Sequence, residues 1–398
     1  MTEIIDRALL GRASESDAIR LRAIGQQTPP TPLQAVPIGE WRALSERTLE
    51  PNGYYLPDWE LAVNASARGR TGVSALCAHG DEPALIGLMP VISLRQAYRL
   101  PLPALVSGHP YGTLCTPLLD RTMADCAAKR LLEAARAAGA HALLLRDVAL
   151  DGVTMSAFST ALGRDDLRLR VLQFHERACL DATHDGDATL HDALGGKKLK
   201  ELRRQRNRLA EHGAIQFQVA RTPQEVAAAL EIFLALEASG WKGHRGTALI
   251  QQDGDAVFIR RATVALAETN QCEIVTLRTG DAAIAAGIVL RHQSRAFFFK
   301  LGVDERFAKY SPGVQLTLDL TRHLCADPAI TSADSTAGPD HPMINPIWRG
   351  RFAIGDVLIP LYRRDPVVEL IDIALRARQS ALELARRGVH LMRNLRKP

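Results

Sequence analysis

The sequence predicts an α/β fold made of two similar units, each a mixed sheet flanked by helices, followed by an amphipathic helical tail. Three observations predict it. A chain of 398 residues is long enough to bury two cores. A strand–turn–strand pattern recurs 200 positions apart, with turns at Gly80-Asp81 and Gly280-Asp281. Residues 295–324 read as a strand, a short basic loop and the start of a helix, the alternation of an α/β unit.

Residues 1–35 end in the proline cluster at 26–33, which cannot be helical and reads as an extended arm. The first unit spans 36–180. Its strand near Ala75 and apolar strand 84–94 lead to the loop GHPYGTLCTPLLD, an alanine-rich helix at 123–138 and a strand at 141–145. The boundary falls between 177 and 196, where 181–187 is polar and acidic. The second unit spans 190–363. It opens on a helix at 197–212 with seven Lys/Arg against one Glu between 197 and 208. A helix at 223–238, a glycine-rich loop at 239–247 and strands near Glu273 and at 283–290 follow. After the helix that starts at Pro312 comes a strand at 330–332. The match between the units is one of pattern, with little identity. Two unrelated α/β units would look similar.

Apolar residues make up 46% of the chain and charged residues 23%, the composition of a soluble globular protein. The net charge of +5 permits phosphate-rich ligands, nucleic acid or anionic lipid. The opening residues hold acids and no apolar run, so no secretory signal is expected, and no stretch approaches the roughly 18 apolar residues that span a bilayer. A cytoplasmic location is expected, with contact to the inner membrane face left open. The six cysteines show no CxxC spacing, so buried thiols are expected, with neither a disulfide framework nor a metal site.

In 295–324, Ala296 to Phe299 form an apolar run of strand length. Ser311 reads as an N-cap and Pro312 as the first helical residue. A strand that delivers a loop to a helix N-terminus makes an anion site. The first N–H groups are unpaired, the dipole end is positive, and Lys309 or Arg306 adds charge. The plain alternative is a β–loop–α connection that binds nothing.

This segment resembles the fourth strand, pyrophosphate loop and third helix of the GNAT acyltransferases. The sequence Tyr310-Ser311-Pro312-Gly313 is similar to the CelD-type branch first noted in cellulose-biosynthesis clusters. That branch resembles the Fem-type aminoacyl transferases, which carry two GNAT-like domains. The usual GNAT loop, Gln/Arg-x-x-Gly-x-Gly/Ala, has more glycine than this one, where only Gly313 lets backbone N–H groups approach a phosphate closely.

The resemblance implies acyl transfer from a thioester to an amine or hydroxyl, with acyl-CoA as co-substrate. It implies no permanently bound cofactor, no metal and no covalent intermediate. Lys309, Tyr310, Ser311, Gly313 and Val314 would hold the donor phosphates. Asp304, Asp334 and His341 are candidates for the base, and Tyr310 for the acid toward the departing thiolate. The loop Gly108 to Gly112 does not match the donor loop, so the first unit would shape the acceptor cleft between the units.

Three other stretches carry candidate function. Trp241, Lys242, His244 and Arg245 lie in the glycine-rich loop, where the resembling family has a tryptophan–lysine pair and an acceptor site. A surface loop pinned by Trp241 is the alternative. Asp340-His341 follows the strand at 330–332 and could act as a base with its orienting carboxylate. With Trp348 on the following helix it would help bind substrate; otherwise Asp340 caps a turn. The basic helix at 197–212 is a solvated face, or a contact for CoA phosphates, anionic lipid or tRNA. The tail, 366–398, places Val368, Ile371, Leu375, Leu382, Ala385, Val389 and Met392 at helical spacing, with a break expected at Gly388. It packs on the units, pairs chains into an oligomer, or lies on an anionic membrane surface.

The leading expectation is an acyl-CoA-dependent N-acyltransferase acting on a sugar or lipid amine such as a sphingoid base. Fem-type transfer from aminoacyl-tRNA and a non-catalytic subunit of a polysaccharide synthase complex remain as alternatives. No Gly-x-Ser-x-Gly elbow or P-loop is present.

Overall fold

The computed structural model describes residues 29–81 and 84–395, with side chains up to 385. The expected arm at 1–35 lies mostly outside the described residues. Its end is docked, because Thr31–Pro32 pairs with the strand that starts at Ser74 and Leu33 is fully buried.

Among the described residues thirteen strands form one sheet. In chain order they are β1 (Thr31–Pro32), β2 (Ser74–His79), β3 (Leu85–Ser93), β4 (Ala104–Ser107), β5 (Leu118–Leu119), β6 (Ala142–Ala149) and β7 (Arg170–Asp181). The second half adds β8 (Ile215–Ala220), β9 (Cys272–Thr279), β10 (Ala282–His292), β11 (Arg295–Val303), β12 (Ser332–Asp334) and β13 (Gly350–Pro360). The spatial order is β1-β2-β3-β4-β6-β13-β7-β12-β11-β10-β9-β8, with β5 beside β3. Read from either edge, the order runs through the same sequence of counterparts. Each half has one parallel pair, β4 with β6 and β11 with β12, and every other pairing is antiparallel. A parallel pair needs a crossover. The helices α4 (Ala124–Ala137) and α10 (Pro312–Cys325) supply the two.

The halves exchange their last strands. β7 leaves the first half and pairs with β12 of the second, while β13 pairs with β6 of the first. The two exchanged strands pair with each other at the centre, from Gly350 opposite Cys179 to Leu358 opposite Arg170. Helix α6 (Gly186–Ala210) follows β7 and helix α11 (Pro366–Leu395) follows β13, so the basic helix and the tail occupy equivalent places. The core reflects the same interlocking. One cluster packs Tyr54, Trp59 and Leu114 of the first half with Phe233, Phe258 and Phe297 of the second.

The remaining helices are α1 (Ile38–Glu46), α2 (Pro57–Ser66), α3 (Leu94–Tyr98), α5 (Val153–Gly163), α7 (Pro223–Ser239), α8 (Trp241–His244) and α9 (Asp253–Glu268). Thr222 and Glu225 form a reciprocal capping box at the start of α7, and Pro223 takes the first turn. The expected helix at 197–212 is the second part of α6. Gly195, at φ 70° and ψ 160°, kinks α6 in a conformation only glycine adopts freely.

Three local expectations are corrected. The strand at 330–332 lies two residues later, so Asp334 ends the strand and does not open the loop. The loop at 239–247 contains the one-turn helix α8. The tail helix runs through Gly388 without a break. Val368, Ile371 and Leu375 of the tail are buried against Leu94, Val106, Leu144 and Leu358, so the start of α11 is core. On the other face Leu370 and Ile373 are exposed, and further along so are Leu382 and Leu384.

Candidate functional site

β11 and β12 pair only from Arg295–Ser332 to Phe297–Asp334 and then part. Their divergence opens a wedge of about 380 Å³ between the end of β11 and the loop after β12. One wall is Phe298, Phe299, Lys300, Leu301 and Val303; the other is Ser335, Thr336, Ala337, His341, Met343 and Ile344. Trp241 and Lys242 close one side. Crevices at the carboxyl ends of parallel strands are where open α/β sheets bind ligands.

A bulge shapes the first wall. Val289 is opposite Phe298 and Ile288 is opposite Lys300, which leaves Phe299 without a partner on β10. The bulge turns Phe299 and Lys300 to the same face of the sheet, toward the core under α7 and α9. Leu301 and Val303 turn to the other face, toward α10. Thr336 ties the two walls at the base, donating its hydroxyl to the carbonyl of Phe298 at 2.7 Å.

Helix α10 starts at the wedge. A Cβ on Gly313 would lie 3.1 Å from Leu301, 3.2 Å from Met343 and 3.3 Å from Val303, all wedge residues. Glycine is therefore what lets the helix end come this close. Pro312 has no N–H, and the first main-chain bond of the helix is donated by Gln315 to Ser311 at 3.0 Å. The N–H groups of Gly313 and Val314 are thus helix-end donors at a positive dipole. Ser311 does not cap the helix through its side chain, contrary to expectation. It sits at φ 55° and ψ 54°, outside the extended conformation of a capping residue, and closes the preceding 3-10 turn. Thr336 and Asp340 also have positive φ. Left-handed non-glycine residues cost roughly 1–2 kcal/mol each and gather at functional sites.

Of the four candidate catalytic residues, His341 lines the wedge and the other three do not. The Nδ1 of His341 accepts the N–H groups of Met343 and Ile344, each at 3.4 Å. The neutral ring then carries its proton on Nε2. Burial lowers its pKa below the ordinary histidine value. Asp340 is exposed and makes no bond to His341; the backbone orients the ring instead.

Asp334 is buried at the base of the wedge in an ion pair with the guanidinium of Arg177 on β7, and its other oxygen accepts the Thr336 N–H at 2.8 Å. Arg177 also donates to Thr113 of the first half, at 2.6 Å to the carbonyl and 2.9 Å to the hydroxyl. Asp304 is clasped by the Arg306 side chain at 2.7–3.1 Å, which holds its carboxyl below the usual range. An ionised, doubly bonded carboxylate is a poor proton acceptor. Tyr310 is buried, with its hydroxyl 2.9 Å from Nε2 of His212. Lys309 is exposed, with its ammonium 4.8 Å from the centre of the Tyr310 ring.

The expected acceptor residues divide in the same way. Trp241 is 54% exposed at the rim, with the Arg245 guanidinium 5.0 Å from its ring, and His244 is exposed beyond them. The N–H of Trp241 is held by Glu305 at 2.9 Å. Trp348 is fully buried and donates to the hydroxyl of Thr321 at 2.9 Å, so it is a core residue and touches no substrate.

Sequence reasoning missed Lys300, Glu237 and Arg177. Glu237, on α7, has a side chain with no solvent exposure; one oxygen takes Lys242 at 3.0 Å and Lys300 at 3.5 Å, the other the Leu249 N–H at 2.9 Å. Burial lowers the pKa of Lys300. The signal for Lys300 was its place in FFFK, a lysine that follows an aromatic run inside a strand.

Comparison with known proteins agrees with this geometry. Residues 196–341, which include all the wedge residues but Met343 and Ile344, match the family model described as an acetyltransferase (GNAT) domain. The C-terminal DUF2156 domain of a putative lysylphosphatidylglycerol synthetase from Agrobacterium fabrum is similar in structure, at 13% identity and a TM-score of 0.51, over 85% of this chain and 95% of that one. FemX is similar at 12% identity and a TM-score of 0.54, over 85% and 98%. A conserved protein of unknown function from Bacteroides thetaiotaomicron gives 12% and 0.52, over 82% and 97%. At these identities the likeness is one of fold. No curated protein matches the chain. The matched segment, with its wedge, helix end and shared architecture, establishes that this chain carries a GNAT-fold acyltransferase-like domain.

Proposed function

We propose that the chain transfers an acyl group from acyl-CoA to an amine. One observation carries the reading: the N-terminus of α10 packs through Gly313 against Leu301, Val303 and Met343 of the wedge. A pyrophosphate at that helix end would stand where its acyl arm can enter between β11 and β12. The bulge at Phe299 leaves backbone groups at the wedge free to polarise a thioester carbonyl. His341 then donates its Nε2–H as a hydrogen bond to the departing sulfur and keeps its proton, while the proton lost by the amine passes through water in the open mouth to the thiolate. Asp334 with Arg177, and Asp304 with Arg306, position the site and transfer no proton.

A second reading is transfer from aminoacyl-tRNA. It is favoured by α6, which leaves Lys197, Lys200, Arg203, Arg204 and Arg208 exposed and lies against α10 through a bond from Gln315 to the Leu202 carbonyl at 2.9 Å. Such a face suits any polyanionic donor. The exposed apolar residues of the tail beyond Leu375 fit peripheral contact with an anionic membrane or another chain.

Calorimetry with acetyl-CoA, a long-chain acyl-CoA and free CoA tests the reading. Binding of any acyl-CoA supports it, and a gain with chain length indicates a lipid acceptor. No binding by all three, together with RNA that co-purifies, transfers the conclusion to the tRNA-dependent reading.

A further inference from the structure

The wedge holds two lysines and no carboxylate among its lining residues. Lys242 and Lys300 both reach the same oxygen of Glu237, at 3.0 and 3.5 Å. Within ion-pair distance two ammoniums share one carboxylate; the next carboxylates, Asp255 and Glu305, stand further off and accept the Tyr111 hydroxyl and the Trp241 N–H, each at 2.9 Å. Both side chains are about a fifth exposed, at 23% and 22%, and both line the wedge. Bringing like charges together away from water is unfavourable unless an anion joins them. Glu237 cannot turn away to relax the cluster, because its second oxygen is held by the Leu249 N–H.

The bulge decides which substrate meets this charge. Lys300 faces α7, whereas Leu301 and Val303 face Gly313 and the end of α10. The lysine pair is therefore across the sheet from the helix end that suits the donor phosphates. The Trp241 ring, half exposed beside Lys242, gives the same side an apolar rim.

Resting on the acyl-transfer reading, we infer that the acceptor is an amine bearing a carboxylate or phosphate, whose anionic group is seated between Lys242 and Lys300 under Trp241. The nucleophilic nitrogen then lies toward His341 and the loop after β12. Uncharged amines lack the group that completes the cluster and bind weakly.

Aldehyde labelling of the full chain tests this without knowledge of the acceptor. Each lysine nitrogen adds to an aldehyde carbon and loses water to give an imine, which borohydride reduces to a stable amine. Two matched pairs are compared, pyridoxal 5′-phosphate with pyridoxal and glyoxylate with acetaldehyde, with labelled lysines mapped by mass spectrometry. The expected result is labelling of Lys242 or Lys300 about tenfold faster by the anionic member of a pair, relative to exposed Lys198 and Lys200. The pair with the larger bias distinguishes phosphate from carboxylate. The bias at Lys300 should vanish in Lys242→Met, and that at Lys242 in Lys300→Met. Equal labelling by charged and neutral aldehydes, a bias that survives loss of the partner lysine, or no labelling overturns the inference. Acetyl-CoA binding by the same preparation separates the two ideas. Donor bound without anion bias removes this inference alone, whereas no donor bound removes the reading beneath it.

Discussion

The wedge has a counterpart in the first half of the molecule, and the two differ at their bases. Phe297 stands opposite Asp334 in the β11–β12 pair; Val106 stands opposite Leu144 in the β4–β6 pair. In the second half the base is polar and its mouth is open. In the first half Ile371 and Leu375 of the tail pack on Val106 and Leu144. The chain after β4 also turns inward, where Cys115 donates its N–H to the Asp147 carbonyl at 3.1 Å, and the backbone N–H of Arg146 donates to the hydroxyl of Ser107, the last residue of β4, at 2.9 Å. Gly112 lies so close to the Tyr54 ring that any Cβ there would clash with it. No short link to a helix end follows β4, since sixteen residues separate it from α4. One topology thus gives a filled seam in one half and an open wedge in the other.

Removal of the plug is the largest test of that contrast. Truncation after Asp365 strips Val368, Ile371 and Leu375 from the first seam. At about 1.5–3 kcal/mol for each buried aliphatic side chain, the loss is roughly 5–9 kcal/mol, comparable to the whole stability of a domain. Urea denaturation should show a collapse in midpoint. A truncation after Arg376 keeps those residues, so any loss of liposome binding there reports on the exposed part of the tail. The second test makes the open wedge resemble the filled one. Arg177→Met leaves Asp334 buried and unpaired, at a cost of about 3–5 kcal/mol by thermal unfolding. The double change Arg177→Met, Asp334→Leu should recover most of that and still fail to turn over. A double variant as unstable as the single would mean that Arg177 acts through Thr113, and not through its charge.

The next effect belongs to the mouth. His341→Ala should lower kcat about 10²-fold with acetyl-CoA affinity unchanged. Because burial lowers its pKa, the ring stays neutral as pH falls past about 6.5, so wild-type turnover should show no histidine step there. Equal turnover in the variant would return His341 to a packing role. A buried acid without a partner gives the smaller, pH-dependent contrast with Asp334. Both carboxyl oxygens of Glu60 lack hydrogen bonds, and burial pushes its pKa well above the usual range. The folded chain keeps a proton that the unfolded chain releases near about 4.3. Its stability is therefore whole at low pH and declines as pH rises toward the folded value. Glu60→Gln does not titrate. It should match wild type near pH 4 and gain on it by about 1.4 kcal/mol per pH unit above that, and a constant difference would show Glu60 to be solvated.

Much of this contrast was legible in local sequence, and the rest was not, for physical reasons. The run of residues 295–324 gave strand, turn and helix because periodicity and proline act over a few positions. The repeat at Gly80 and Gly280 was legible for the same reason. The exchange of β7 and β13 was not, since strand pairing between residues 179 and 350 leaves no local mark. Nor was the fate of the charged candidates. Asp304, Asp334, Tyr310 and Trp348 have the residue types of a site, but Arg306, Arg177, His212 and Thr321 satisfy them. Arg306 is two residues from Asp304, whereas only the fold supplies the other three partners. Conversely, sequence reasoning did not single out Lys300, which the bulge turns to the side of Lys242.

The smallest predicted effect asks how much of donor binding the helix end supplies by itself. Gly313→Glu is not a clean probe, because even a Cβ there meets Leu301, Met343 and Val303 at 3.1–3.3 Å and the wedge itself would deform. Lys309 is the better handle: it is exposed, one turn before α10, and its removal disturbs no packing. A charge at such a place is worth about 0.3–1 kcal/mol and is screened by salt. Lys309→Ala should therefore weaken acetyl-CoA binding about two- to fivefold at low ionic strength, and the gap should close as salt is added. A loss far above that, insensitive to salt, would mean that a direct lysine–phosphate bond holds the donor. The N–H groups of Gly313 and Val314 would then be secondary, and the absence of a second helix end near β4 would no longer explain why the first seam stays filled.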